Sequence, residues 1–466
     1  MDKDIKKIYK PFENFLIRTP LLPMSMVSIV NDNNLKEIMN NPIIEEALFL
    51  ASPILFNEYK KWLDNKIIDI REEKRIVNSL MKYLLRMSSR CTPFGLFAGC
   101  TICSWEFKEK MDINNSNSIN ISPTSLYKSF TRLDMHFLCA VNHDIANNPL
   151  IKQKLKYFPN HSIYKHVNKY RYIEFRYVNN RRVHHLVAVD SSEILAKILE
   201  ISQNGIDINS LTNDIISEEI NYEEAFNFIC QLVDIQFLIN ELDPKITGKD
   251  ILNQSIQILN QFEEIKDVNK ILQEIKDELQ LIDSKAIGRN ISMYYNITKK
   301  IEKLGAPYDI HLLFQTDLIK PPISNILSNS YIDTILTGVS VLRRFSRSNN
   351  RKLTDFRAAY IKRYEYKEMP LLEVLDPETG IGYLQYERGE ISPLIDNIML
   401  GLDFVKNKIS NEFDKLQSFL FNKYFESLQI NAYELKINAE DIASLNWTND
   451  DLPDTFSVMA QFYKDK

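Results

Sequence analysis

The sequence predicts an α+β fold of several subdomains, with mixed sheets and helices and one winged-helix-like unit suited to peptide recognition. Three observations carry this: helical periodicity over residues 35–87, a pair of alternating segments at 170–189, and a length of 466 residues. At about 150 residues per domain that length is enough for roughly three cores. The organisation expected is an N-terminal α+β subdomain over 1–160, the winged-helix-like unit over 161–242, and a second α+β subdomain over 243–466.

In chain order, LKEIMNNPIIEEALFLASPILFNEYKKWL and EEKRIVNSLMKYLLRM repeat apolar residues at three- and four-residue intervals, the mark of amphipathic helices, and the second run ends near Arg86. The apolar, glycine-punctuated run PFGLFAGCTICSW, 93–105, predicts a turn feeding a buried strand. Arg86 and Arg90 therefore sit where a helix meets that turn, and they share a face if the helix persists to Arg90.

YRYIEFRYV and RRVHHLVAV alternate on either side of Asn179-Asn180, which predicts a β-hairpin. Asp190 with Glu193 reads as a capping box opening the first of three helices, and a short strand near FLIN closes the unit. Its third helix is rich in Glu and Phe, which disfavours DNA binding and leaves strand addition at an open edge as the easier use. Residues 250–305 read as helical and acidic. YDIHLLFQTDLIK reads as a buried strand carrying Asp309 and Asp317, and a helix follows from about Ser330 to Phe345.

Composition excludes several classes of function. With 57 basic and 62 acidic residues the chain carries −5, so nucleic-acid contact must be local. Hydrophobic content of 44% with 26% charged residues fits neither disorder nor a membrane-embedded chain. The N-terminus lacks the apolar core of a signal peptide, and five dispersed cysteines suggest reduced thiols, so a cytoplasmic location is expected. The lone Cys100/Cys103 pair and seven scattered histidines match no metal-ligand spacing, and no metal is expected. Positive charge is concentrated at 340–363, where Arg343, Arg344, Arg347, Arg351, Lys352, Arg357, Lys362 and Arg363 face only Asp355. That stretch is either a solvated helix face or a phosphate-binding patch made by Arg343, Arg344, Arg347, Arg351 and Lys352.

The string RMSSRCTPFGLFAG, 86–99, resembles the N-terminal region of class I lanthipeptide (lantibiotic) dehydratases. FLIRTPLLP, TRLDMHFL, LFQTDL and FRAAYIKRYEYKEMPLLEVLDPETGIGY agree in order. The resemblance implies a domain that moves glutamate from glutamyl-tRNA onto Ser and Thr side chains of a ribosomal precursor peptide, preparing them for elimination to dehydroalanine or dehydrobutyrine. It implies no cofactor beyond glutamyl-tRNA as co-substrate. The implied partners are the precursor peptide through its leader, an elimination domain or separate elimination protein, a cyclase, and a second copy of the chain. Family members are about twice this long, so the expectation is part of the glutamylation region without the elimination domain.

By matched positions the resemblance assigns Arg86, Arg90, Thr92, Arg18, Asp134 and Asp317 to glutamylation. The bland reading is that such arginines and aspartates pair as folding devices, for example Arg18 or Arg90 with Asp134. Chemically, an aminoacyl ester is already activated, so transfer needs positioning and charge matching, and guanidiniums suit both. Cys91 beside Arg90 reads as a passive small residue. Two other readings stay open: a peptide aminoacyl-tRNA ligase, which extends a peptide C-terminus, and a non-catalytic leader-binding scaffold.

Overall fold

The computed structural model describes residues 9–106, 119–178, 181–245, 247–343, 345, 351–383, 415–438, 440–441 and 454–462. The chain divides into a larger unit, 14–104 with 112–326, and a smaller one, 1–13 with 105–111 and 327–466. Both expected divisions, at 160 and 242, fall inside the larger unit.

The larger unit opens with β1 (Asn14–Pro20), followed by three substantial helices: α1 (Pro42–Ala51), α2 (Pro53–Leu63) and α3 (Ile70–Ser89). Each helix start is built from local chemistry. Asn41, Ser52 and Asp69 accept hydrogen bonds from first-turn N–H groups, and Pro42 and Pro53 occupy first-turn positions where no donor is needed. α3 buries Ile76, Leu80, Leu84 and Met87 on one side and leaves Arg86 on the other.

β2 (Ala98–Glu106), β3 (Ile119–Ile121), β4 (Lys128–Leu133), β10 (Phe314–Ile319) and β11 (Pro322–Ser328) join β1 in a six-stranded sheet of order β3-β11-β2-β10-β4, with β1 paired to β2. β10 is parallel to β2 and antiparallel to β4, so a strand from residues 314–319 completes a sheet begun at residue 14. This returning strand is why the expected boundary at 242 does not separate compact units. The expected fully buried strand at 308–320 is also corrected. Asp309 caps a short helix, Ile310–Leu313, and β10 alternates, with Thr316 and Leu318 buried and Gln315, Asp317 and Ile319 exposed.

One sheet face is packed. Behind β4 lie α9 (Lys266–Ser284) and α10 (Ser292–Glu302), preceded by α8 (Ile251–Leu259), with Leu272, Ile275, Tyr294 and Ile297 in the core. Between sheet and helices sits a buried ionic network. Arg289 donates to Glu46 (2.6 Å), Ser129 (2.8 Å) and the Ile282 carbonyl (2.9 Å), and Tyr294 donates to Glu46 (2.7 Å). Asp283 accepts from the Ser129 and Thr131 hydroxyls and from the Thr131 N–H. Burial and the adjacent Glu46 carboxylate push the Tyr294 phenol far above its ordinary range, so it stays a donor.

Within 161–242 the expected elements are present. β6 (Tyr164–His166), β7 (Lys169–Val178) and β8 (Arg181–Asp190) form an antiparallel sheet in that order, with Val178 opposite Arg181; Asn179 and Asn180 lie outside the described residues. Three helices follow, α5 (Glu193–Ile201), α6 (Ile208–Ile215) and α7 (Tyr222–Asp234), and then β9 (Leu238–Asn240), which pairs with β5 (Tyr157–Pro159) instead of the hairpin. Ser192 caps α5, not Asp190, because Asp190 is still a strand residue opposite Lys169. A full capping box does occur in this unit, at Asn221 and Glu224 of α7.

In the smaller unit, α11 (Ser330–Arg343) and α12 (Arg351–Tyr364) carry the basic stretch, and α13 (Lys415–Gln429) lies further along. None of the described helices is long and apolar enough to cross a membrane.

Candidate functional site

The site begins at the end of α3. Ser88 and Ser89 turn their hydroxyls back to the Leu84 and Leu85 carbonyls, and the helix stops at Ser89. Arg90 is extended (φ −102°, ψ 121°), with its N–H on the Arg86 carbonyl at 3.0 Å. Arg86 and Arg90 therefore do not share a helix face. Pro93 bars the helix from running on, because it steers Thr92 into extended backbone and its ring would meet the Ser89 carbonyl in a continued helix. Gly95 then turns at φ +53°, a conformation that costs a side-chain-bearing residue, and Leu96 and Phe97 plunge into the core.

This turn is anchored on two sides. Phe97 packs edge-on against Tyr83 and Phe94, while its carbonyl accepts from Leu21 N–H and that of Met87 from Leu22 N–H. The strand carrying Arg18 thus ends bolted to the turn carrying Thr92. Arg86 lays its guanidinium over the exposed Phe94 ring at 4.5 Å.

Asp134, Asp317 and the turn meet at a groove of about 310 Å³. Its walls include Pro93, Phe94 and Gly95 on one side and Arg132, Asp134, Gln315 and Asp317 on the other. Asp134 caps α4 (Met135–Ala146) through the His136 N–H (2.8 Å) and accepts from Gln315 Nε2 (2.6 Å). Asp317 accepts from Arg132 Nη1 at 2.8 Å, and Arg132 also faces the Phe130 ring at 5.7 Å. Neither aspartate pairs with Arg18 or Arg90; the folding device anticipated for them is not what the structure contains.

Arg18, Arg86, Arg90 and Thr92 do not line the groove. Arg86 borders it through Phe94, and Arg18 stands on β1 opposite Cys100. Burial raises the Cys100 thiol, while the Arg18 charge lowers it and the Asp317 charge raises it, which places both charged groups on the Cys100 side of the sheet. Cys103, three residues on, is buried on the opposite face, so the two thiols do not converge. Among the described residues, no group of three or more His, Cys, Asp or Glu side chains is arranged to hold a metal ion.

His311, Arg132 and Gln315 are polar groove residues that sequence reading passed over, and two of them stand close to assigned aspartates. Arg132 lies two positions ahead of Asp134 and Gln315 two ahead of Asp317, where the two-residue strand period brings Gln315 to the face of Asp317.

In the smaller unit, Arg343 ends α11 and Lys352 is exposed on α12; Arg344 and Arg347 lie outside the described residues. Arg351 begins α12. Arg363 is committed locally, donating to the Gly380 (2.5 Å) and Thr379 (2.6 Å) carbonyls of a loop that Asp376 shapes by accepting two N–H groups.

A family model described as "Lantibiotic dehydratase, N terminus" matches residues 40–466. The chain belongs to the lantibiotic dehydratase N-terminal family. It is 22% identical over 453 residues to the subtilin biosynthesis protein SpaB of Bacillus subtilis, covering 91% of this chain and 40% of that protein. It is also 22% identical over 450 residues to the epidermin biosynthesis protein EpiB of Staphylococcus epidermidis, covering 95% and 42%. The chain thus spans about two-fifths of the length of these relatives. Among solved structures, the tRNA-dependent lantibiotic dehydratase MibB from Microbispora superposes with a TM-score of 0.71 at 19% identity, over 95% of this chain and 40% of MibB. The glutamylation domain TbtB from thiomuracin biosynthesis gives 0.50 at 16% identity, over 71% and 39%. These likenesses fix the fold of the chain as α+β.

Proposed function

We propose that the chain serves tRNA-dependent glutamyl transfer to Ser and Thr side chains of a precursor peptide, the acceptor chemistry taking place at the groove beside the arginine turn. The observation that carries this reading is the convergence of Pro93–Gly95, Asp134 and Asp317 on one groove with Arg86 stacked at its rim. In the step proposed, the peptide hydroxyl oxygen bonds to the glutamyl carbonyl carbon, the bond from that carbon to the tRNA ribose oxygen breaks, and the hydroxyl proton passes to the ribose oxygen. Asp317 Oδ1 is the carboxylate atom best placed to hold that proton in passage, because Oδ2 is occupied by Arg132. Arg86 and Arg90 supply planar donor forks for acceptor-stem phosphates, Arg18 and Thr92 act from outside the groove lining by orienting the bound group, and Asp134 fixes the groove wall. Arg343, Arg344, Arg347, Arg351 and Lys352 contribute phosphate contacts, and no cofactor other than glutamyl-tRNA is required.

The peptide enters, in this reading, through the hairpin of a winged-helix-like unit. β7 has its outer backbone groups occupied: β6 pairs with its start, Asn160 and Ser162 bond to Ile173, and the Gln236 side chain bonds to both the N–H and the carbonyl of Phe175. The far edge of β8 pairs with nothing among the described residues, which leaves it for a leader strand. A cytoplasmic setting, an elimination partner, a cyclase and a second copy complete the proposal.

The test is mass spectrometry of a Ser/Thr-containing precursor peptide after incubation with the chain and glutamyl-tRNA. The result expected is a glutamyl ester, formed more slowly by Arg86→Lys and Arg90→Lys. A new amide at the peptide C-terminus, or an unmodified peptide that remains bound, overturns the transfer reading in favour of a ligase or a scaffold respectively.

A further inference from the structure

The six-stranded sheet leaves one face open, and its side chains are unlike those of an ordinary solvated sheet. Leu16, Ile102, Phe130 and Ile319 on this side are 47–66% exposed, while the strand neighbours of Ile102, Phe130 and Ile319 on the other side are buried and those of Leu16 are half-buried. Isolated exposed apolar residues are common, but four on adjacent strands of one sheet face form a patch. Register makes the pattern specific. Arg18 lies opposite Cys100, Cys100 opposite Ile319, and Ile319 opposite Lys128, so a single row crosses four strands with a cation at each end and a thiol and an isoleucine between. At ~4.8 Å per strand the two cations stand roughly 14 Å apart. Neither Arg18 nor Lys128 has a carboxylate partner among the described residues, whereas Asp317 is already paired with Arg132 and Asp134 accepts from Gln315.

We infer that this open face docks a polypeptide segment with an apolar centre and carboxylates at both ends. The inference goes beyond the transfer proposed above; the face shares Arg18 with that site, while Ile102 and Lys128, the positions changed in the test below, lie outside it. Charge complementarity selects the occupant: the face offers two unmatched cations bracketing apolar surface, and a partner with two carboxylates at that spacing satisfies both. A second copy of the chain is disfavoured by the same argument, since face-to-face packing would oppose cations to cations. Single-stranded RNA is disfavoured because the patch is aliphatic where base stacking needs rings, and the one ring, Phe130, already has a guanidinium at its face.

The experiment is fluorescence anisotropy with the full chain and three labelled probes. The first is a peptide of roughly eight residues with glutamates flanking a run of leucines, long enough at ~3.3 Å per residue to pass both cations. The second carries lysines in place of the glutamates, and the third is oligouridine RNA of equal length. The glutamate probe is expected to bind at least about tenfold more tightly than the lysine probe, and Ile102→Asp and Lys128→Glu are each expected to lose about tenfold. Both positions are exposed, so circular dichroism should match the parent. Equal binding of the two peptides, unchanged affinity in both variants, competition by the RNA, or binding that vanishes because sedimentation shows a dimer through this face each overturns the inference. Binding of glutamyl-tRNA, measured alongside, reports on the transfer proposal alone: it should be indifferent to Lys128→Glu if the two surfaces are separate.

Discussion

The two faces of the six-stranded sheet handle charge in opposite ways. On the packed face, Arg289 is tied to Glu46 and Asp283 inside a cage of hydroxyls, carbonyls and a phenol, with both partners of the central pair almost wholly buried. On the open face, Arg132 and Asp317 pair while exposed, and Arg18 and Lys128 have no acidic partner among the described residues. Buried charge without partners would cost several kcal/mol, so the packed face tolerates it only in a closed network. Exposed charge costs little and is free to meet a ligand. The same sheet thereby separates what holds the fold from what is left for function.

The sharpest way to break this contrast is Glu46→Ala. It strips Arg289 of its partner in the interior and is expected to destabilise the chain by about 3–5 kcal/mol in urea unfolding; an unchanged midpoint would refute the buried network as a structural device.

Lys320 tests the contrast at its boundary. It lies at the end of β10 on the packed side, 2% exposed, donating to the Pro20 carbonyl and standing 4.9 Å from the Tyr127 ring. Burial pushes its amine from 10.5 down to about 8. Because the folded value lies below the unfolded one, the unfolded chain binds more protons between pH 8 and 10.5, and stability from this group rises with pH across that window. Lys320→Met removes the dependence. The parent is therefore expected to gain about 3 kcal/mol relative to the variant from pH 8 to 10.5, and parallel curves in paired denaturation series would count against a buried charge here.

A smaller effect is expected on the open face. Arg132→Ala should leave stability within about 1 kcal/mol, the usual worth of an exposed pair, while slowing glutamyl transfer about tenfold. A variant that loses stability but keeps its transfer rate would assign Arg132 to the fold. Gly95→Ala comes last. No atom crowds the added Cβ, so the cost is the positive φ alone, about 1 kcal/mol, read as a small shift in thermal midpoint.

Much of this was legible in the sequence because it is local. The helices of 35–89, the hairpin of 170–189 and the TPFG turn are each written in periodicity or turn chemistry spanning a few residues. Arg86, Asp134 and Asp317 could be singled out by matched strings, and two of them do meet at one groove. What the sequence hid depends on distant partners. That Arg132 pairs with Asp317, and Gln315 with Asp134, follows from β10 lying beside β4, and no periodicity announces which strands become neighbours. Whether Arg90 shares the helix face of Arg86 was left conditional on the helix reaching it, because the periodicity up to Arg86 carries no stop signal of its own; the helix ends at Ser89. Asp309 looked like part of a strand because a one-turn helix is too short to impose a period.

The place of β10 between β2 and β4 also governs how the molecule is made. A ribosome that has just delivered β4 has about 180 more residues to add before β10 emerges, roughly 10–40 s at ordinary synthesis rates. Throughout that interval β2 and β4 each present an unpaired edge, while β1 and β2, the 164–190 hairpin and the pair β5 and β9 find their partners. The sheet that carries Arg18, Arg132 and Asp317 is therefore among the last parts of the larger unit to close. During synthesis its edges are the segment most in need of a chaperone's cover.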